Sequence, residues 1–396
     1  MDQVADKSRR VAISLEMEWG FKRHVEMYAG CQRYADEVGW ESFINPSVEA
    51  AFKSKEPWPY DGVLARVTQP MGDLLLEKGV PVVNVWMNSP VKGLPSVYPD
   101  FEATGIMAAE HILSRGFKQF GYLGYVRDID SRLQYKGFEG VANREGFPCS
   151  DFRVSRTSLE GRAPGWDEFI SRLEKWVDTW EPPIGVFVTS DTYCRYLIDV
   201  CRSKGLHVSQ EVAILGTMNE TVICNSPPPT LTSIDLGYAR IGYCAAEILD
   251  DLMHGRSVPE EPVLVAPSEL APRQSTSSFA ADDPLVARAL RFISDNGQER
   301  IQVKDVVEAV STNRRTLERK FRSSVGRSIA GEITRLRLER AKRRMVETDS
   351  PMKLVAQDAG FRSSDHFYKV FMRIEGIPPT QYRDERRKMF PKEDEV

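Results

Sequence analysis

At 396 residues the chain exceeds what one ordinary hydrophobic core supports, and it implies two or three domains. Its 41% hydrophobic and 28% charged residues are those of a soluble globular protein. No uncharged apolar run approaches the roughly 20 residues that span a bilayer, which excludes a membrane helix. The net charge of −4 conceals a split: residues 284–390 hold 24 basic and 14 acidic side chains, net +10, whereas 1–283 sum to −12 and 391–396 to −2. That asymmetry is expected of a chain whose basic end meets nucleic acid.

The charged first ten residues and the short run 11–15, closed by Glu16, do not make a signal-peptide core, so a cytoplasmic chain is expected. The six cysteines include no Cys-x-x-Cys pair and read as reduced, inert thiols. None of the five histidines pairs with another at ligand spacing, so neither a metal nor a cofactor is expected.

From the N-terminus, short apolar runs at 11–15, 62–67, 80–86, 120–125, 185–188 and 212–216 lack polar alternation, as strands buried on both faces of a parallel sheet do. Helical patterns at 25–37, 105–114, 133–145, 166–180, 192–203 and 237–253 separate them. Alternating βαβ units predict a parallel α/β fold, in two lobes divided near residue 120. Residues 1–270 form this predicted ligand-binding and dimerisation domain. Residues 271–283, polar and small, read as a linker. After Pro284 strand signals vanish, and helices are predicted at 285–296, 303–309, 314–324, 329–347, 352–358 and 364–374. The all-α domain spans 284–390, with an acidic tail at 391–396.

Two helix pairs stand out. In the first, Val303, Val306, Val307 and Val310 form an apolar stripe, Asn313 caps the next helix, and Leu317 and Phe321 face inward. Arg314, Arg315, Glu318, Arg319 and Arg322 are left outside, a face suited to a major groove. In the second, Gly360 makes the turn, Ser363 caps, and Phe367, Val370 and Phe371 face the core while Ser364, Asp365, Tyr368 and Lys369 do not. The segment Ala356-Gln357-Asp358-Ala359-Gly360-Phe361, followed by Phe367, Phe371, Gly376, Pro379, Tyr382 and Arg383, resembles the DNA-binding signature of the AraC/XylS family. The resemblance covers about the last quarter of the chain. It implies two helix-turn-helix units joined by a long helix, entering successive major grooves. By position it puts Arg315, Glu318 and Arg319 at base edges in the first unit, and Ser364, Asp365, His366 and Lys369 in the second. Arg314 and the cations of the joining helix (Arg335, Arg337, Arg340, Lys342, Arg343, Arg344) would hold phosphates, although part of that set also suits a plain solvated face. His366 equally suits packing beside Phe367. Ser311 stands where the family has Gly in the first turn.

Ligands of two-lobed α/β folds bind at the carboxyl ends of strands, in the inter-lobe cleft. The residues just past the predicted strands are Glu18, Trp19 and Arg23; Asp100; Arg132 and Gln134; Ser190 and Asp191; Asn219 and Glu220. Carboxylates, amides and an Arg around an indole suit a polyhydroxylated ligand, although Asp100 and Asp191 equally suit helix caps. With Gly137-Phe138, Leu231-Thr232-Ser233-Ile234-Asp235 and Gly242, this pattern resembles the LacI/GalR regulators and the periplasmic sugar-binding proteins. Two positions depart from that family: Met218 stands for an Asp that grips sugar hydroxyls, and Gln134 for an Arg.

Together the resemblances imply a ligand-responsive, sequence-specific transcriptional regulator: a sugar-sensing activator of carbohydrate catabolism genes, with a xylose-like ligand. Its implied partners are double-stranded operator DNA, a monosaccharide effector, a second copy of itself and RNA polymerase, with no membrane. Two alternatives remain: an α/β domain that only dimerises, and a sugar-processing enzyme. The enzyme lacks a Gly-x-Ser-x-Gly elbow, a P-loop and a metal-ligand set.

Overall fold

The computed structural model describes residues 8–17, 22–54, 58–155, 163–278, 283–296, 300–348 and 350–389. They form a two-lobed α/β unit and an all-helical unit, with the main break after Ser275. Among the described residues no helix is long and apolar enough to cross a membrane.

The first lobe runs β1 (Arg10–Ser14), α1 (Lys22–Val38), β2 (Glu41–Ile44), α2 (Val48–Ser54), β3 (Gly62–Ala65), α3 (Gln69–Glu77) and β4 (Val82–Asn84). Its strands pair in parallel in the order β2-β1-β3-β4. β5 (Val97–Pro99) leads across to the second lobe: α4 (Phe101–Ser114), β6 (Phe120–Tyr125), α5 (Ile129–Arg144), β7 (Cys149–Val154), α6 (Ala163–Val177), β8 (Ile184–Val188), α7 (Asp191–Ser203), β9 (Val212–Thr217), α8 (Thr221–Asn225) and β10 (Thr232–Asp235). The chain then returns. α9 (Tyr238–Met253) lies on α1, β3, β4 and β5, and β11 (Val263–Val265) pairs with β5, before β12 (Glu269–Ala271) closes the second sheet antiparallel to β10. The division near residue 120 thus holds for the strand groups, but α9 and β11 rejoin the first lobe. Three strands of chain therefore cross between the lobes, linked where the Asp100 N–H donates to Val265 O (2.7 Å) and the Ser268 N–H to Asp235 O (2.9 Å).

Each lobe has its own apolar core. In the first, Val63, Ala65 and Val67 of the sheet region meet Phe52, Met71 and Leu75. In the second, Val186 and Ile214 meet Trp176, Leu197 and Cys201. Burying one such side chain contributes roughly 1.5–3 kcal/mol. Two glycines explain how α1 and α9 come together. A Cβ on Gly30 would lie 1.8 Å from Ala239 O, and one on Gly242 1.9 Å from Met27 O, so the helix backbones touch only because both residues are glycine.

The segment expected to be a linker starts out ordered. Ala271 ends β12, the Arg273 guanidinium donates to Leu231 O (2.8 Å), and fully buried Ser275 donates to Ile214 O (2.6 Å) and accepts from the Thr232 N–H (2.9 Å). Polar side chains fasten this stretch to the second sheet, which is why apolar periodicity did not reveal it. Residues 279–282 and the acidic tail lie outside the described residues.

The helical unit comprises α10 (Pro284–Asp295), α11 (Val303–Val310), α12 (Arg314–Val325), α13 (Ile329–Glu347), α14 (Met352–Asp358), α15 (Ser364–Glu375) and α16 (Pro379–Met389). It has two cores. Val286, Leu290, Val306, Val310, Leu317 and Phe321 close on Ile329 and Ile333. Val355, Phe361, Phe367 and Phe371 close on Leu338, Ala341 and Met345. α13 belongs to both, presenting its first half to one and its second half to the other.

Candidate functional site

The residues past β3 and β4, the first turns of α1, Asp130 of α5 and the crossovers at Pro99 and Tyr238 surround a cleft between the lobes. Arg66, just past β3, lays its guanidinium over the Trp86 ring at 4.7 Å and pairs with Glu16. On α1, His24 is 1% exposed, with Nδ1 2.6 Å from Glu16 O and Nε2 3.1 Å from the Arg23 Nε that donates to it. That donation places the ring proton on Nδ1. Burial, followed by the charge of Arg23, pushes the His24 pKa down to about 4, so the ring is neutral at pH 7.

Direct bonds hold the lobes together across this cleft. Asn88, past β4, donates to Asp130 (2.9 Å) and accepts the Ile129 N–H (2.9 Å), both at the start of α5 in the other lobe. Lys22, at the start of α1, donates its backbone N–H to Glu220 (3.1 Å) and its ammonium to Asp235 (3.1 Å), while pairing with Glu26 at 3.0 Å. Burial alone would lower the Lys22 pKa, but Asp235 and Glu26 outweigh it and raise it. Burial raises the pKa of Glu26 and of Glu220.

The predicted ligand residues fall into three groups. Arg23 lines the cleft. Glu18 and Trp19 lie outside the described residues. Ser190, Asp191, Asn219 and Glu220 gather at the second lobe, past the ends of β8 and β9. Asp191 is 1% exposed and accepts from Ser233 (2.7 Å) and the Glu220 N–H (2.8 Å), so it fixes the 219–220 turn from beneath. Burial pushes its carboxyl up to about 6. Ser190 is buried at the head of α7 and makes no side-chain cap bond. Asn219 accepts from Arg273 (2.7 Å), and Met218 and Asn219 stand at φ 93° and 51°, a left-handed pair that L side chains rarely adopt. The third group is not in the cleft lining. Asp100 caps α4, accepting the Ala103 N–H at 2.8 Å. Arg132 is exposed on α5, and Gln134 is buried with its Oε1 unpartnered.

Arg66, Trp86, His24, Asp130, Tyr238, Asn88 and Lys22 were missed. For two of them the signal was present but misplaced. The predicted strands 62–67 and 80–86 overran β3 and β4 by two residues at their ends, so Arg66 and Trp86 were counted inside strands rather than just beyond them. The others come together only through the return of α9 and the closure of the lobes.

In the helical unit, Asn313 and Ser363 accept the Thr316 and His366 N–H groups at 2.8 and 3.2 Å and set the starts of α12 and α15. Past these caps Arg314, Arg315 and Arg319 are exposed and Glu318 half-buried on α12; Asp365 and Lys369 are exposed and Ser364 half-buried on α15. His366 is half-buried, with its ring 5.9 Å from that of Phe361, and burial lowers its pKa. Ser311 ends α11 at φ 53°, taking the left-handed turn expected of Gly, as Gly360 does at φ 83°. The joining-helix cations are largely occupied within the unit. Arg335 pairs with fully buried Glu332 (2.7 Å), which Arg327 also reaches (3.2 Å). Arg337 donates to Ile301 O (2.7 Å), Lys342 pairs with Glu375 (2.7 Å) and Arg344 with Asp358 (3.1 Å). Arg337 thus ties α13 to the segment before α11, and Lys342 and Arg344 tie it to α15 and α14, while Arg335 pairs within α13 itself.

Residues 109–276 match the family model of the periplasmic binding protein-like domain, and residues 306–385 that of a helix-turn-helix domain. The chain is a DNA-binding transcription regulator of two parts: a periplasmic binding protein-like domain followed by an AraC-type helix-turn-helix domain. In its full layout it is similar to the xylose operon regulatory protein of Escherichia coli (strain K12), 26% identical over 388 residues that cover 96% of this chain and 97% of the relative. It is similar also to the xylose operon regulatory protein of Haemophilus influenzae, 24% identical across 96% of this chain and 99% of the relative. The solved structure of the xylose-binding transcription activator xylR shares the fold, with a TM-score of 0.60 and 23% identity over 96% of this chain and 99% of that one. The curated relatives are regulators, not enzymes.

Proposed function

We propose that the cleft binds a monosaccharide, a pentose such as xylose first among candidates, and that binding shifts the balance between open and closed lobes to control DNA binding. The observation that carries this is the cleft itself, whose lining includes Arg23, Arg66, Trp86 and Asp130, with the Arg66 guanidinium over the Trp86 ring. Charged groups bond hydroxyls directionally, and an indole stacks on the apolar face of a sugar ring. Similarity over nearly the whole chain to regulators of xylose operons supports the same ligand class. Glu220 and Asn219, tied to Lys22 and Asp235, close the site from the second lobe. Glu18 and Trp19 stay candidates. In the helical unit Arg315, Glu318 and Arg319, and then Ser364, Asp365 and Lys369, read bases, His366 contributes through its exposed edge, and Arg314 holds phosphate.

The protein acts as a cytoplasmic homodimer joined through the domain that ends near Ser275, and it activates transcription through RNA polymerase. Moving the lobes from 1:99 to 99:1 requires the ligand to prefer one arrangement by roughly 5.5 kcal/mol. Calorimetry of the full chain against pentoses, hexoses and their acids is the test. Saturable binding of one sugar, weakened at least about tenfold by Trp86→Ala, is expected; no binding by any of them sinks the sugar reading.

A further inference from the structure

The two recognition helices differ in chemistry. α12 carries Arg314, Arg315, Arg319, Lys320 and Arg322 against Glu318 alone, a net of +4; α15 carries Lys369 and Arg373 against Asp365 and Glu375, a net of zero. The outward face of α15 holds two large side chains that the unit does not cover. Tyr368 is 46% exposed and Met372 37% exposed. They stand one helical turn apart, away from buried Phe367, Val370 and Phe371, with Asp365 and Lys369 beside them on the same face.

We infer that the two units read different bases: α12 guanine, through Arg315 and Arg319, and α15 thymine, through Tyr368 and Met372. This rests on the reading of α12 and α15 as helices that enter the major groove. Within the groove, guanine offers the O6 and N7 acceptors that a guanidinium bonds in pairs. The only apolar group there is the C5-methyl of thymine. The ring of Tyr368 and the thioether of Met372 pack on that methyl, and Met372, which carries no donor, leaves the acceptors of a guanine unmet. Asp365 refuses phosphate by charge and accepts from an exocyclic amino group instead. Grip on the DNA backbone therefore belongs to α12, and α15 adds sequence preference without adding counterion release.

The test is selection of the full chain against a pool of random-sequence duplexes, followed by base replacement. Two enriched blocks about one helical turn apart are expected, one with guanine and one with thymine. Replacing thymine by deoxyuridine in the second block removes only the methyl. It should weaken binding about fourfold. The Tyr368→Ser/Met372→Ser double variant should lose that discrimination and keep the preference for guanine. Arg319→Ala should do the reverse, losing about tenfold at one guanine while still distinguishing thymine from deoxyuridine. A second block without thymine, or one where deoxyuridine binds equally well, overturns the inference and leaves DNA reading intact. No enriched sequence at all overturns the underlying reading of α12 and α15.

Discussion

The cleft and the recognition helices both depend on charge, and they handle it in opposite ways. In the cleft the charges are spent on one another. Lys22 answers Glu26 and Asp235, and Arg66 answers Glu16, while the Lys22 backbone N–H holds Glu220 and the Asn88 amide holds Asp130. On α12, Arg314, Arg315 and Arg319 stand exposed past the Asn313 cap. A site that is internally balanced takes a neutral ligand by exchanging bonds, so its binding energy is a small difference between two states of the same lobes. A face whose cations project into solvent draws its partner by long-range attraction and releases counterions when it docks.

Four experiments sharpen or break that contrast. Acid comes first. His24 has a folded pKa of about 4 against an ordinary 6.5, so the unfolded chain binds its proton first and stability falls as pH drops through that interval. The full loss is about 3 kcal/mol. Asp191, raised to about 6, works in the opposite direction, gaining stability as pH falls through its window. Comparing the parent with His24→Asn cancels the Asp191 contribution, and the variant should lose less stability between neutral pH and about pH 4 in thermal unfolding. Equal losses would show that His24 is not held neutral.

Lys22→Met comes next. It strands Asp235 and Glu26 beside a half-buried thioether, and it should cost about 2–3 kcal/mol in denaturant unfolding of the α/β unit. The helical unit should unfold as before; a loss shared by both would end the idea that the latch is local. Arg319→Ala should leave unfolding unchanged and weaken DNA binding about tenfold, with specificity lost at one base pair. An equal loss on every sequence would make Arg319 a phosphate contact instead. The smallest effect belongs to Ser311→Gly, which relieves the left-handed turn and should stabilise the first helix-turn-helix by about 1 kcal/mol.

The same contrast explains what could be read in advance. The helical unit is built from local signals. The Asn313 and Ser363 caps, the Leu317/Phe321 and Phe367/Phe371 spacings and the turn at Gly360 all lie within a few residues of the helices they shape, and the α13 bounds were predicted to the residue. The cleft is assembled from distant pieces. Lys22 meets Asp235, 213 residues away, and Asn88 meets Asp130 across 42, pairings that no local period encodes. Between these extremes lie β2 and β7, which were not predicted. β2 is a short edge strand, half-exposed along Glu41–Ile44, and β7 carries Ser150, Asp151 and Arg153, so neither shows the unbroken apolar run of a central strand. Asp100 and Asp191 show the limit of reasoning from position after a strand: one turned out to cap a helix, and the other to brace a turn.

One helix serves two cores, with Ile333 in the first and Leu338 in the second. Each residue along α13 advances the chain about 1.5 Å and turns it about 100°. Adding or deleting one residue in its middle would therefore swing α15 about 100° around the α13 axis relative to α12, while also tearing one core from its helix face. A change of about seven residues, two full turns, nearly restores the phase, and it would move the second recognition helix about 10 Å along the α13 axis. The length of α13 is thus a ruler that evolution can change only in jumps, and each jump demands a new operator spacing.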